Sequence, residues 1–260
     1  MLPGMLEALI FDVDGTLADT ERDGHRPAFN AAFADAGLDW HWDVERYGEL
    51  LAVTGGKERI RHYVDRHHPE LGQSPDLDAR VPSLHAAKTA HYLRLVDAGG
   101  LPLRPGVARL IAEARTAGLR LAIATTTTPD NVTRLLAASL APDAESWFEV
   151  IGAGDVVAAK KPAPDIYRWV LDRMGLPASA CLALEDSGNG LRAALGAGLP
   201  TVVTIGDYTR GDDFRGALAV LSDLGEPDRP CTALAGNLHG RRCVDVELLR
   251  RWHAESISSI

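Results

Sequence analysis

After residue 105 the chain alternates between short apolar runs and segments of helical spacing, and that rhythm leaves few folds open. Val107 to Ala117 repeats apolar residues at helical intervals behind Pro105-Gly106 and stops at Gly118. Leu119 to Ala124 is an apolar strand, Asn131 to Ala138 a helix, and Ile166 to Met174 a second helix stopped by Gly175. Ala180 to Leu184 reads as a strand, Leu191 to Ala197 as a helix and Pro200 to Thr204 as a strand. Near the start, Leu6 to Phe11 is another short apolar run, ended abruptly by Asp12. Strands apolar on both faces and separated by helices predict an α/β fold, a parallel sheet covered on either side. Ligands of such sheets bind beyond the carboxyl ends of the strands. The polar clusters fall there: Asp12 and Asp14 after one strand, Thr125 to Thr128 after the next, Glu185 and Asp186 after a third.

Between about Glu21 and Ala98 the pattern changes. Ala28, Phe29, Ala32 and Phe33 recur at helical spacing, as do Leu84, Ala87, Tyr92 and Leu95, with no strand-like run among them. This reads as a four-helix insert ending at a hinge, Gly99-Gly100, with Pro102 and Pro105 behind it. The expected organisation is a core built from residues 1–18 and 101–225, a helical cap over 19–100, and a C-terminal extension over 226–260. The extension is interrupted by Pro227, Pro230, Gly236 and Gly240 and carries one helix, Val246 to His253.

The net charge of −9 argues against nucleic acid or an anionic membrane as a general partner. An acidic protein that handles an anionic substrate must gather its positive charge locally, with a metal's help. Cys181, Cys231 and Cys243 form an odd set without CxxC spacing, which fits reduced thiols in a cytoplasmic setting. No apolar stretch approaches the ~20 residues needed to span a bilayer, and Met1 to Ile10 has no basic region of the kind that opens a secretory signal. A monomer is expected.

Asp12-Val13-Asp14-Gly15-Thr16-Leu17 holds two carboxylates two positions apart, with Gly15 allowing a tight turn. A carboxylate can attack phosphorus, and a second can protonate the leaving oxygen and then activate water. Taken singly, an Asp-Gly pair can simply end a strand. Ala124-Thr125-Thr126 offers hydroxyl and backbone N–H groups to a phosphate ahead of a helix. Lys160-Lys161-Pro162 offers an ammonium, although a solvated lysine pair is the plainer account of it alone. Glu185-Asp186 puts adjacent acids at the end of a buried strand, which calls for a neutralising hard cation with oxygen ligands. Four such pieces on one sheet edge are hard to explain as turns and caps.

In this combination the motifs resemble the four signatures of the haloacid dehalogenase superfamily, over roughly residues 5 to 225. The resemblance implies a Rossmann-like core with an inserted cap. Asp12 would be the nucleophile and Asp14 the acid/base. Thr125, Thr126 and Lys161 would bind the transferring phosphoryl group. Mg²⁺ would be held by Asp12, the Asp14 carbonyl and Asp186, with Glu185 close by. Thr stands at 125 where the family more often has Ser, and the Lys160-Lys161 doublet leaves open which ammonium reaches the site; Lys161, beside Pro162, is assigned. Asp14 itself favours phosphoester hydrolysis over dehalogenation.

Further stretches resemble the CbbY-type phosphatases: Ala18 to Arg26, Ala28-Phe29-Asn30 and Gly55 to Ile60. That resemblance implies a small phosphosugar substrate, xylulose 1,5-bisphosphate, converted to xylulose 5-phosphate and phosphate beside the Calvin cycle. Glu21, His25, Tyr47, Lys57 and Arg59 of the cap are the candidates for the sugar hydroxyls and the far phosphate, with Thr127 and Asn131 on the core side. The alternatives are a phosphosugar mutase of the β-phosphoglucomutase type and a phosphoglycolate phosphatase-like hydrolase. A non-catalytic binding module is a poor fit to an intact Asp12, Asp14, Lys161 and Asp186.

Overall fold

The computed structural model describes residues 5–72, 75–99 and 101–257. Its sheet has seven strands: β1 (Ala8–Phe11), β2 (Arg120–Ala124), β3 (Val150–Gly152), β4 (Cys181–Glu185), β5 (Thr201–Thr204), β6 (Ala219–Leu221) and β7 (Ala233–Ala235). Their order is β3-β2-β1-β4-β5-β6-β7, with β7 alone antiparallel. This is the parallel α/β sheet the alternation predicts.

Side chains alternate across a strand, so each one feeds two apolar layers. Leu9 and Phe11 join one layer with α6 (Val107–Thr116), α7 (Pro129–Ser139) and α10 (Val246–Ile257). Ala8 and Ile10 join the other, against α8 (Asp165–Met174) and α9 (Gly188–Gly196). The register pairs Phe11 with both Ile123 and Leu184, which brings the ends of the three central strands level. Asp12, Thr125 and Asp186 therefore emerge at one edge.

Three strands, β3, β6 and β7, have no counterpart in the sequence reading. Each is three residues long, too short for a period to register, and Leu234 of β7 stays exposed. The extension holds the expected helix, running on to Ile257. It adds β7 to the sheet, and Leu248, Leu249 and Trp252 bury in the same layer as Leu9 and Phe11.

Among its described residues the insert holds helices and no strand: a π-helical turn over Glu21–His25, then α1 (Arg26–Asp35), α2 (Val44–Leu50), α3 (Gly56–His67), α4 (Pro69–Gly72) and α5 (Pro75–Asp97). Among the described residues the helices outnumber the expected four, because the π-helical turn and the single turn α4 stand beside four longer helices. These helices enclose their own aromatic core of Phe29, Phe33, Trp40, Trp42, Tyr47 and Tyr63. Gly99 at the expected hinge has φ +72°, while Gly100 lies outside the described residues. The outgoing and returning connections meet in an antiparallel bridge between Ala18 and Leu103. Next to it the buried Arg104 donates to the carbonyls of Gly15, Thr204 (3.0 Å), Ile205 (2.7 Å) and Ser222 (2.9 Å), tying the first acidic loop to the ends of β5 and β6.

Candidate active site

Asp12 follows β1 directly, and its N–H donates to the carbonyl of Leu184 at 3.0 Å. Lys161 arrives from the loop between β3 and α8. Its Nζ donates to Asp12 Oδ1 at 2.7 Å, to Glu185 Oε1 at 2.6 Å and to the Ala124 carbonyl at 2.8 Å. All three side chains are buried. Lys160 turns the other way, to Asp155 Oδ1 at 2.7 Å, so of the doublet it is Lys161 that meets Asp12. Tyr167 of α8 donates to the Glu185 oxygen that Lys161 also engages.

Two glycines make this crowding possible. A Cβ on Gly190, in the first turn of α9, would stand 1.9 Å from Glu185 Oε2, so only glycine lets that carboxylate lie against the helix. A Cβ on Gly15 would stand 2.2 Å from Asp186 Oδ2, at a backbone φ of +84° that side-chain-bearing residues also resist.

The charge count at this edge is unbalanced. Asp12, Glu185 and Asp186 bring ligand oxygens within 4.8 Å of one another, with one ammonium among them. Burial pushes Asp12 from 3.8 up to about 7 against the pull of Lys161. Burial, then the charges of Asp12 and Glu185, raise Asp186 well above the carboxylate range. Burial works against the Lys161 ammonium, but Asp12 and Glu185 outweigh it and raise its pKa. Lys161 thus stays charged and positive charge is still short. An oxygen-only donor set with excess negative charge fits a hard divalent cation such as Mg²⁺.

Asp14 has a separate set of partners. Thr20 Oγ1 donates to it at 2.5 Å and His25 Nε2 at 2.9 Å, while Lys88 Nζ of α5 donates to His25 Nδ1 at 2.8 Å. The lysine on Nδ1 assigns the imidazole proton to Nε2. Burial would raise the Asp14 carboxyl, but His25 and Thr20 outweigh it and hold it well below the usual range. Burial pulls the Lys88 ammonium from 10.5 down to about 8. Lys88 was not anticipated from the sequence, although a signal existed. It sits four residues after Leu84 and four before Tyr92, inside the apolar stripe of its helix.

A cavity of about 680 Å³ opens over Asp12, between core and cap. Asp12, Thr125, Thr126, Lys161 and Asp186 line its floor, and Glu21 and Arg59 line the cap side. Tyr47 donates to Glu21 and accepts from Arg59 Nη1 at 2.8 Å, so three cap candidates form one network, buried at Tyr47 and Arg59 and half-buried at Glu21. The remaining candidates lie elsewhere. Lys57 is outside the cavity lining, its Nζ 2.5 Å from Asp155 Oδ2 at the edge of the core. Thr127 and Asn131 also fall outside the lining, where Asn131 Nδ2 donates to Thr127 Oγ1 at 2.9 Å. His25 reaches the site through Asp14.

Among the described residues, no helix is long and apolar enough to cross a membrane.

The family model described as haloacid dehalogenase-like hydrolase matches residues 6–198. The chain is 55% identical over 249 residues to the plasmid CbbY protein of Cupriavidus necator, covering 95% of this chain and 97% of that protein. A crystal structure of a CbbY variant from Rhodobacter sphaeroides in complex with xylulose 1,5-bisphosphate superposes with a TM-score of 0.77 at 50% identity, covering 84% of this chain and 95% of that one. A phosphoglycolate phosphatase of Rhodospirillum rubrum is 30% identical over 221 residues, covering 85% of this chain and 88% of that protein.

Proposed function

The chain belongs to the haloacid dehalogenase-like hydrolases, and on that premise we propose that it is a Mg²⁺-dependent phosphatase hydrolysing xylulose 1,5-bisphosphate to xylulose 5-phosphate and phosphate. What carries the phosphatase assignment is the buried Lys161 ammonium, shared between Asp12 and Glu185 beneath the cavity. It holds a carboxylate oxygen ready beside a cation suited to a phosphoryl group. The bisphosphate is favoured by the likeness to the CbbY protein solved with that sugar, and by the buried Arg59 on the cap side of the same cavity.

Asp12 attacks phosphorus and becomes a phospho-aspartate as the sugar oxygen leaves with a proton from Asp14. Water then attacks the acyl phosphate, with Asp14 as the base, and Asp12 is regenerated. The low-lying carboxyl of Asp14 suits the second half of that cycle. For the first half, the Lys88–His25 pair is the proton source: Lys88 protonates Nδ1 while Nε2 hands its own proton to Asp14, and the proton that Asp14 takes from water in the second half returns along the same path to restore Lys88. Thr125 and Thr126 flank the phosphoryl oxygens. Asp12 and Asp186, with the Asp14 carbonyl, would hold Mg²⁺, which supplies charge neutralisation at the phosphoryl oxygens. The cap excludes bulk water and grips the far end of the substrate through Arg59, with binding energy remote from the reacting bond.

The test is a steady-state phosphate-release screen over sugar mono- and bisphosphates. Xylulose 1,5-bisphosphate is expected to give the highest kcat/KM. Activity should vanish in EDTA and return with Mg²⁺, and Asp12→Asn should be inert while folded by circular dichroism. A higher kcat/KM for glucose 1-phosphate or phosphoglycolate would overturn the substrate. Asp12→Asn within tenfold of the parent would overturn the chemistry.

A further inference from the structure

We propose that Arg104, where the chain returns from cap to core, is a positioning residue for the Asp14 acid/base step. It holds Gly15 in place, so that the adjoining Asp14 keeps its reach to the leaving sugar oxygen and then to water. This rests on the phosphatase reading above and concerns a residue that lies outside the four motifs.

Arg104 leaves the backbone where the two connections between core and cap meet. Its N–H donates to the Leu17 carbonyl at 2.8 Å, beside the bridge between Ala18 and Leu103. The guanidinium is buried. Nη1 donates to the carbonyls of Gly15 and Thr204, the latter at 3.0 Å, and Nη2 to those of Ile205 at 2.7 Å and Ser222 at 2.9 Å. Nε lies 3.3 Å from Asp19 Oδ1 on the outgoing connection to the cap. Four carbonyls from three separate segments thus converge on one planar fork. An ammonium carries its three donors on a single atom and cannot reproduce that arrangement.

Of these partners Gly15 is the one next to the chemistry. It follows Asp14 directly, and its N–H donates to the Ala18 carbonyl at 2.8 Å. Gly15 also lies against Asp186, since a Cβ there would stand 2.2 Å from Oδ2. With φ at +84° and no side chain of its own, Gly15 has wide backbone freedom, and the Arg104 bond to its carbonyl restrains it. Asp12 is held separately, its N–H on the Leu184 carbonyl and its carboxylate on Lys161. Loss of the fork therefore tells on Asp14 first. The four carbonyls do not cancel the Arg104 charge, which opposes the rise that burial, Asp12 and Glu185 impose on Asp186. A reacting group displaced by about 1 Å can lose roughly 100-fold in rate.

The experiment is Arg104→Lys, which keeps the charge and loses the fork, beside Arg104→Gln, which loses both. Steady-state kcat and KM are measured for xylulose 1,5-bisphosphate, and first-turnover p-nitrophenol release for p-nitrophenyl phosphate, where circular dichroism shows each variant folded. With the bisphosphate, kcat should fall ~10- to 100-fold in both variants. KM should stay within about threefold, because the lost restraint acts on a proton-transfer group and not on binding. p-Nitrophenolate leaves without a proton from Asp14, so its first turnover should lose at least ~5-fold less. If Arg104 only holds the fold together, the urea midpoint falls while folded Arg104→Lys keeps the parent's kcat, and that result overturns the proposal. An equal loss with both substrates overturns it too, as does a lysine variant that stays unfolded even at low temperature. Should the parent enzyme not hydrolyse the bisphosphate, the substrate reading fails by itself. The comparison is then made with the best sugar phosphate of the screen, where an unchanged kcat overturns the role of Arg104.

Discussion

Lys57 at the start of α3 ion-pairs with Asp155 of the core, Nζ to Oδ2 at 2.5 Å, across the boundary between insert and sheet. Lys160 bonds the other oxygen of the same carboxylate, so Asp155 is shared by one cap lysine and one core lysine. The two lysines together hold the Asp155 carboxyl near 2, below its usual 3.8.

Lys57 and Arg59, two residues apart, should therefore behave differently. The Lys57–Asp155 pair is exposed enough for solvent to screen it, so its worth is about 0–1 kcal/mol. Lys57→Ala and Asp155→Asn should each change kcat/KM by less than about fivefold, more at low salt than at high, and the double variant should be no worse than either single one. Arg59 is buried and lines the cavity. Arg59→Ala should lower kcat/KM for the bisphosphate by about 10- to 150-fold, the value of a charge-assisted bond to phosphate. Steady-state kinetics of the four variants at two salt concentrations decide it.

Lys161→Met removes the ammonium from among Asp12, Glu185 and Asp186 and leaves Asp12 and Glu185 without the cation they share. Breaking a buried pair by deleting one partner typically costs about 3–5 kcal/mol. In EDTA the urea midpoint should fall accordingly, and the deficit should shrink as pH drops and the carboxylates take up protons. Added Mg²⁺ should stabilise the variant more than the parent. An equal midpoint for variant and parent at pH 8 would contradict this charge balance.

Lys88 gives a pH signature of known sign. Its folded pKa of about 8 lies below the ordinary 10.5, so holding the proton opposes folding. The full penalty applies below about pH 8 and disappears above 10.5, because the unfolded chain binds more protons throughout that window. Relative to Lys88→Met, the parent should gain stability as pH rises from 8 towards 10, by at most roughly 3 kcal/mol. Urea titrations of both proteins at pH 7.5, 9 and 10 measure the difference. A parent that instead loses ground as pH rises would mean that Lys88 is not a buried ammonium.

Trp252 of α10 lies in the layer beneath the sheet, away from the cavity lining. Trp252→Ala should cost about 3–5 kcal/mol of stability. At low temperature the folded variant should keep the parent's kcat, since no residue of α10 lines the cavity. A lower kcat without a shifted urea midpoint would place α10 in the active site's support instead.

Sequence alone carried the sheet and the acidic edge, because both are written in local patterns. Leu6 to Phe11, Leu119 to Ala124 and Ala180 to Leu184 are runs whose burial on both faces forces strands, and the carboxylates and hydroxyls that end them must then share one edge. What tertiary structure decided was partnership. Lys160 and Lys161 are chemically alike and adjacent, yet one meets Asp155 and the other Asp12, 149 positions away. Lys57, Lys88 and Arg104 likewise owe their surroundings to chain segments remote in sequence. The strands β3 and β6 form against longer neighbours, β2 and β5, and β7 closes the sheet against β6, while α10 fills a layer that local periodicity cannot assign. Periodicity reports which face of an element is apolar; which distant charge or ring comes to lie against it is settled only when the elements pack.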